Sequence, residues 1–273
     1  MNRSLVLIRI TLLLVLSSSI VFAQKFTWGI KAGGTLSLTT FADEDDKDEF
    51  TPREKIGFAV TGLLNYPFKN NYSLQSEIGF SQRGRRIKFN SDSSTHTASY
   101  QFLDFGLLVR KSFRVQWGEH IPGHWFVNAG PRLSYWLGGK GNVTGTHPFD
   151  YTVVLGPLSE VPLIEPDKMY LKGTNRWMAG FDIGLGIDAP IRKIHDLVLE
   201  LRYSQGFTQY GNKNSVYTSQ PGFSDSLKAT EKIISLSIGY TIEYNIKAPR
   251  KGKSTKQDRK RTKPRKEIDS LLH

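Results

Sequence analysis

The stretch WMAGFDIGLGID, residues 177–188, alternates between two kinds of side chain. Ala179, Phe181, Ile183, Leu185 and Ile187 are apolar, and the residues between them from 180 to 186 are glycine or aspartate. Successive side chains of a β-strand point to opposite faces, so this period of two predicts a strand with one apolar face and one small, polar face. Its length suits the roughly nine to eleven residues with which a tilted strand crosses a bilayer.

Seven other segments alternate in the same way, and their apolar faces begin at Trp28, Ile56, Tyr72, Leu103, Val127, Leu197 and Ile234. The connections after the second, fourth and sixth segments are short, at 68–71, 112–123 and 190–196. The others are longer and more polar, at 39–54, 85–99, 138–174 and 208–230. Bacterial outer-membrane barrels have an even number of strands, with short periplasmic turns and long outer loops. We therefore predict an all-β, eight-stranded antiparallel transmembrane barrel with both termini in the periplasm.

The N-terminus predicts export. Arg3 and Arg9 precede the apolar run 10–16, and Val21-Phe22-Ala23 has the pattern of a cleavage site. We predict a signal peptide at 1–23 and a barrel domain at 24–245. No later stretch approaches the roughly 20 apolar residues of a spanning helix, so any membrane insertion must use strands. The chain contains no cysteine, which excludes disulfides and thiolate metal sites.

The C-terminal segment 246–273 is strongly basic. Its eleven cationic residues oppose three acidic ones and account for +8 of the formal net charge of +12. They are Lys247, Arg250, Lys251, Lys253, Lys256, Arg259, Lys260, Arg261, Lys263, Arg265 and Lys266. We predict a disordered periplasmic tail. It is either a solvated extension without a partner or a segment that binds an anionic envelope surface or a periplasmic protein. Because the charge belongs to an appendage, it does not indicate nucleic-acid binding by the fold.

Alternation alone does not say which face lies inside, because a soluble barrel with an apolar interior has the same period. The polar face carries nine glycines, which suit a narrow interior. It also carries five cations and five anions, which can neutralise one another: Lys31, Glu77, Arg83, Asp104, Arg110, Arg132, Asp182, Glu200, Arg202 and Glu243. Buried charges must be paired, so we predict a lumenal ion-pair network.

The apolar face has aromatic residues near the strand ends, as in the interfacial girdles of membrane proteins. These are Trp28, Tyr66, Tyr72, Trp125, Tyr135, Trp177, Tyr203 and Tyr244. This face is therefore expected to contact outer-membrane lipid.

Five strings resemble the PorT-like outer-membrane β-barrel family of Bacteroidetes: WGIKAGG (28–34), LQSEIGFSQRG (74–84), LDFGLLVR (103–110), NAGP (128–131) and LELRYSQG (199–206). The resemblance implies an eight-stranded barrel in the outer membrane of a bacterium of that phylum. The founding member is associated with type IX secretion, which makes an accessory role in secretion an expectation here. Gly106 departs from the family, which usually has proline at this position, and the chain continues well beyond Tyr244.

A structural or interaction role, accessory to secretion or to envelope assembly, is the function these features favour. A narrow channel and a lipid A-modifying enzyme are the alternatives. Ser134, His147, Asp150 and His96 are of the residue types that such an enzyme uses, but they form no local catalytic signature. We therefore predict neither an enzyme nor a cofactor.

Two segments contain metal-binding residue types. Glu119, His120 and His124 are interrupted by Pro122 and Gly123, and the acidic residues within 43–49 lack the ordered spacing of a calcium loop. No metal site is predicted from them.

Overall fold

The computed structural model describes residues 25–44, 48, 50–90, 94–117, 121–145, 148–155, 167–171, 173–192, 194–211 and 227–245. The predicted signal peptide, 1–23, and the predicted basic tail, 246–273, lie outside these ranges. The chain divides into a unit formed by Thr27–Ile242 and a second unit formed by the two chain ends, Met1–Phe26 and Glu243–His273.

Eight long strands make up the ring: β1 (Lys25–Phe41), β3 (Lys55–Pro67), β4 (Tyr72–Phe89), β5 (Thr95–Trp117), β6 (Ile121–Thr144), β9 (Trp177–Arg192), β10 (His195–Gly206) and β11 (Ala229–Asn245). Each pairs with the next along the chain, and β11 pairs with β1. Closure removes the exposed edges that an open sheet would leave. This arrangement confirms the predicted fold class.

Three short strands lie in the long connections: β2 (Phe50–Arg53), β7 (Phe149–Leu155) and β8 (Lys168–Leu171). β2 pairs with β4, β7 with β6, and β8 lies parallel to β7. The predicted short turn 68–71 contains a single 3-10 turn, Lys69–Asn71. In the part of the chain that the structure describes, no helix is long and apolar enough to cross a membrane.

The predicted loop 85–99 is mostly strand. β4 and β5 remain paired from Gly84 and Ser99 up to Lys88 and Thr95, and β6 continues to Thr144. We call this region the outer extension. It comprises β4 beyond Arg83, β5 before Leu103 and β6 beyond Tyr135, together with β2, β7, β8 and the chain at Tyr210 and Leu227. At the opposite rim, β5 and β6 are paired through the predicted connection 112–123, so the turn there is shorter than expected.

In the outer extension the inward side chains are largely apolar, apart from the fully buried Arg85 and His96, and the outward ones are polar. Ile87, Ala98 and Tyr100 point inward and are fully buried, whereas Arg86 and Gln101 point outward and are exposed. Closer to the periplasm the outward side chains are apolar, and they belong to the lipid-facing band. The exchange therefore marks the level at which lipid gives way to water outside the ring.

A β-bulge on β6 lies at this level. Gln101 and Phe102 of β5 pair with Gly138 and Trp136 respectively, so Leu137 is the extra residue on β6. One extra residue shifts every later side chain to the other face. Lys140 therefore points outward although Trp136, an even number of residues before it, points inward.

Inward-facing glycines let neighbouring backbones approach closely. A Cβ atom on Gly33 would lie 2.1 Å from the carbonyl oxygen of Leu236, and one on Gly130 would lie 2.1 Å from that of Leu107. Gly62 faces outward, where a Cβ atom would meet nothing closer than 3.7 Å. The inward glycines are therefore a steric requirement of this narrow ring.

Candidate functional site in the barrel lumen

A cluster of ion pairs crosses the middle of the lumen. Lys31 on β1 lies 2.6 Å from Glu77 on β4 and 2.8 Å from Glu200 on β10. Arg202 lies 2.6 Å from Glu77, 2.5 Å from Glu200 and 3.4 Å from Asp182 on β9. Period-two alternation places all five side chains on the inner face, and closure of the ring brings them together.

A second group of charges lies on the outer side of this cluster. Arg83 contacts Asp104 at 2.9 Å and Glu231 at 3.0 Å. Arg132 lies 3.4 Å from Glu231 and 3.3 Å from Asp182, which also contacts Arg202 and so links the two groups. These pairs connect β4, β5, β6, β9 and β11 across the lumen.

Arg110 forms a separate ion pair with Asp188, and its guanidinium stacks 3.6 Å from the centroid of the Phe126 ring. Glu243 makes its ion pair with Lys25 instead, at 2.7 Å, and the two side chains are 40% and 51% exposed. Glu243 is therefore more exposed than the other nine predicted network residues, and water solvates its charge. Such exposed pairs contribute little to stability.

Three partners were not among the predicted network residues: Glu231, Asp188 and Ser134. Ser134 accepts a hydrogen bond from Arg83 at 3.0 Å and donates one to Asp104 at 2.5 Å. Each lies an even number of residues from an inward-facing residue of its own strand. This alternation could have identified all three. Glu231 was missed because it precedes the segment in which outward apolar residues mark the eighth strand.

The arrangement satisfies the requirement that buried charges be paired. Lys31, Arg83, Arg110, Arg132 and Arg202 face the anions Glu77, Asp104, Asp182, Asp188, Glu200 and Glu231. Removing an ion from water costs several kcal/mol, and the cost is offset only when several partners surround it. The lumen thus holds the strands together through shared carboxylates.

An aromatic layer lies beyond the ion pairs, within the outer extension. The ring of Tyr100 lies 4.6 Å from that of Trp136 and 5.5 Å from that of Tyr210, and all three residues are fully buried. Arg83 stacks 4.0 Å from the centroid of the Phe102 ring, so the charged and aromatic layers are in contact. Further apolar residues, including Ile87, Met169 and Leu227, complete this core.

Tyr210 joins the two layers by a hydrogen bond as well. Its hydroxyl donates to Glu231 at 2.9 Å. Burial, reinforced by the Glu231 carboxylate, raises the pKa of Tyr210 well above its ordinary value. The phenol therefore stays protonated and remains a donor to Glu231.

A polar cavity of about 80 Å³ remains beside the ion pairs, lined by Lys31, Thr61, Glu77, Arg202 and Ser235 among others. It is large enough for a few water molecules. Sites for small-molecule ligands occupy roughly 300–1,000 Å³, so this cavity does not suit a metabolite.

Ser134, His96 and Asp150, three of the residues considered for catalysis, lie in different surroundings. Ser134 is buried among the ion pairs, and His96 is buried and hydrogen-bonded to the Tyr151 hydroxyl. Asp150 is exposed on β7, and His147 lies outside the described residues. Among the three candidates that the structure describes, no base lies beside a nucleophile.

The metal-binding residue types are also dispersed. Within the described ranges, no three His, Asp or Glu residues are grouped so that they could hold an ion. Asp43 forms an ion pair with Lys228. Glu119, His120 and part of the acidic run, residues 45, 46 and 49, lie outside the described residues.

A closed ring with a lipid-facing band and a filled polar lumen defines an outer-membrane β-barrel. Residues 22–212 match the family model described as outer membrane protein beta-barrel domain. The chain belongs to this family, and its location is the outer membrane. A search of curated proteins finds no match.

Several solved structures are similar. Neisserial surface protein A shares 12% identity, with 80% of this chain and 97% of that one covered and a TM-score of 0.38. OprG from Pseudomonas aeruginosa shares 10% identity, with coverages of 81% and 96% and a TM-score of 0.42. Ail of Yersinia pestis shares 11% identity, with coverages of 80% and 98% and a TM-score of 0.33.

Proposed function

We propose that this protein is a closed membrane anchor that presents the outer extension as a rigid surface for interaction. The observation that carries the proposal is the filling of the lumen at two successive levels. Ion pairs such as Lys31–Glu77 and Arg83–Glu231 occupy the first, and the rings of Tyr100, Trp136 and Tyr210 occupy the second. A pore would need both layers to move, whereas a platform gains rigidity from them.

The specific role we propose is accessory to secretion of the type IX kind or to envelope assembly. The resemblance to the PorT-like family of Bacteroidetes supports it. The basic tail, 246–273, would add a periplasmic contact, because each Lys or Arg near an anionic surface contributes about 1 kcal/mol. An anionic envelope surface and a periplasmic protein are both suitable partners for it.

A narrow channel is the second candidate, and the polar cavity beside Lys31 and Glu77 is the observation that favours it. Single-channel recording in planar bilayers separates the two functions. A closed anchor gives no sustained current from the wild-type chain. Replacing Trp136 and Tyr210 by glycine should leave the ion pairs in place and the current absent. Sustained currents from the wild type would overturn the proposal in favour of the channel.

The interaction role is tested by cross-linking in intact cells followed by purification from detergent-solubilised outer membranes. The full chain is compared with a chain that lacks Lys247–His273 and with a chain that carries Arg86→Gln on the outer face. A defined complex that is lost in one of the variants supports an interaction role and locates the contact. A protein recovered alone from all samples contradicts it.

The enzyme alternative has its own readout. Mass spectra of lipid A from cells with and without the gene should be identical if the protein is an anchor. A change in acylation or phosphorylation would instead indicate a lipid-modifying activity.

A further inference from the structure

Two arginines face each other on the outside of the outer extension. Arg53 of β2 and Arg86 of β4 are direct cross-strand partners, and both are exposed. Lys88 lies two residues further along β4, opposite Thr51, on the same face. We call these three cations the basic patch.

The basic patch is unfavourable for the fold by itself, because like charges directly opposite each other on a sheet are destabilising. Among the described residues, none of its three side chains takes part in an ion pair, in contrast to Arg83 and Arg132, which each contact two carboxylates. Glu54, next in sequence to Arg53, is exposed and forms none of the ion pairs between described residues. The positive charge of the basic patch is therefore not neutralised by the described part of the chain.

The patch lies directly beyond the lipid-facing band. The Ser37 hydroxyl oxygen lies 3.1 Å from the carbonyl oxygen of Lys55 and 2.8 Å from that of Gly84, so the start of β3 lies beside Gly84. Ile56, the last apolar outward residue of β3, is 74% exposed. Arg86 is two residues beyond Gly84, a rise of about 7 Å along the strand. Since the apolar outward residues of β3 end at Ile56, we infer that Arg86 lies at the level of the headgroups of the outer leaflet.

The outward surface next to the patch is polar and open. Arg86 pairs with Thr97 on β5, and Thr97 pairs with Asn142 on β6. A shallow groove of about 470 Å³ follows, lined in part by Ser99, Lys140 and Asp150. Hydroxyl, amide and carboxylate groups of this kind form hydrogen bonds with sugar hydroxyls.

We propose that the basic patch binds the phosphate groups of a phosphorylated glycolipid of the outer leaflet, with its sugars along the polar groove. A guanidinium can hold two phosphate oxygens at once, so one phosphate can bridge Arg53 and Arg86. That bridge turns the repulsion between the arginines into attraction. The acyl chains of the same lipid would pack on the band that ends at Ile56.

The test is a titration of the refolded full chain, in non-ionic detergent, with diphosphorylated lipid A and with chemically dephosphorylated lipid A. Binding is read by native mass spectrometry. We expect the phosphorylated form to bind the wild type more tightly, and Arg86→Gln to weaken that binding about fivefold, the effect of about one charge at an anionic surface. The double variant Arg53→Gln/Arg86→Gln should lose about thirtyfold. Lys232→Gln, an exposed outward cation on β11 that lies outside both the patch and the groove, is the matched control and should change binding less than twofold.

A charge reversal at Arg53 separates loss of binding from loss of folding, because it should raise stability while it weakens binding. Arg53→Glu places a carboxylate opposite Arg86, so the variant should resist urea better than the wild type while binding phosphorylated lipid A more weakly. A soluble glucosamine phosphate should bind poorly, since it lacks acyl chains. Equal binding of both lipid A forms, or equal losses for Lys232→Gln and Arg86→Gln, would overturn the proposal. Tight binding of the soluble sugar phosphate would also overturn it, because it would indicate a site for a soluble anion.

Discussion

The spanning part of the ring and the outer extension use the same strands with opposite chemistry. On β5, Leu107 faces lipid and Asp104 faces the lumen, whereas a few residues away Thr97 faces outward and Tyr100 is buried inside. The alternation continues, and only the solvent outside the sheet has changed. The comparison teaches that the surroundings, rather than the strand, decide which face is apolar.

The two regions must therefore be stabilised differently. The outer extension buries a core of aromatic and aliphatic residues, as a water-soluble protein does. In the spanning part the apolar side chains contact lipid, and the interior is held by shared ion pairs and hydrogen bonds. Substitutions in the two regions should reveal this difference in the free energy of unfolding, measured by urea titration in lipid vesicles.

The largest effect is expected for Arg83→Ala in the lumen. Removing this guanidinium leaves the buried carboxylates of Asp104 and Glu231 without their main partner, and the loss should be about 5 kcal/mol. Arg86→Ala is the matched control three residues along the same strand, and it should change the free energy by less than about 0.5 kcal/mol. Similar losses for both variants would show that the lumenal pairs are not what holds the spanning part.

The outer core should respond nearly as strongly. Trp136→Ala removes a fully buried indole between Tyr100 and Tyr210 and should lower the free energy of unfolding by about 4 kcal/mol. Trp136→Phe keeps most of the apolar contact and should lose less than half of that. A loss near zero for Trp136→Ala would mean that the outer extension does not fold around this core.

A lysine introduced at two positions on the outward face of β5 compares the surroundings of the spanning part with those of the outer extension. Leu107→Lys exposes an ammonium to hydrocarbon near the middle of the membrane and should cost about 3 kcal/mol. Thr97→Lys, on the same face of β5, should be almost neutral because water surrounds the outer extension. Equal costs at both positions would place the two residues in the same environment.

The smallest of these effects concerns the narrowness of the ring. Gly130→Ala forces a Cβ atom against the carbonyl oxygen of Leu107 and should cost about 2 kcal/mol. Gly62→Ala faces open space and should be tolerated. A tolerated alanine at position 130 would mean that the strands can separate at this point.

The sequence was sufficient for the eight strands. It placed ten charges on the inner face but left out Glu231 and Arg85, which are also buried. It was not sufficient for the outer extension. The strands were predicted from an apolar outward face, and the outward residues are no longer apolar beyond Phe80 on β4 and before Leu103 on β5. On β6 the bulge at Leu137 also shifts the parity. The predicted third, fourth and fifth strands of the ring are therefore shorter than the strands in the structure wherever the outward face is polar.

For the lumenal ion pairs, the sequence likewise predicted which residues point inward but not how they pair. Parity placed Lys31 and Glu200 on the inner face, but these residues are 169 positions apart and meet only because the ring closes. Which carboxylate pairs with which cation depends on strand tilt and register, which alternation does not encode. Glu231 was missed for a local reason, since it belongs to the part of β11 where the outward side chains are no longer apolar.

The exchange of faces between the spanning part and the outer extension can be measured directly, because the chain has no cysteine and accepts single spin labels. Nitroxides at Leu107→Cys and Thr97→Cys would report collision with lipid-soluble oxygen and with a water-soluble nickel chelate. We predict that oxygen dominates at position 107 and the chelate at position 97. The account would be contradicted if collisions with oxygen dominated at both positions, or if collisions with the chelate dominated at position 107.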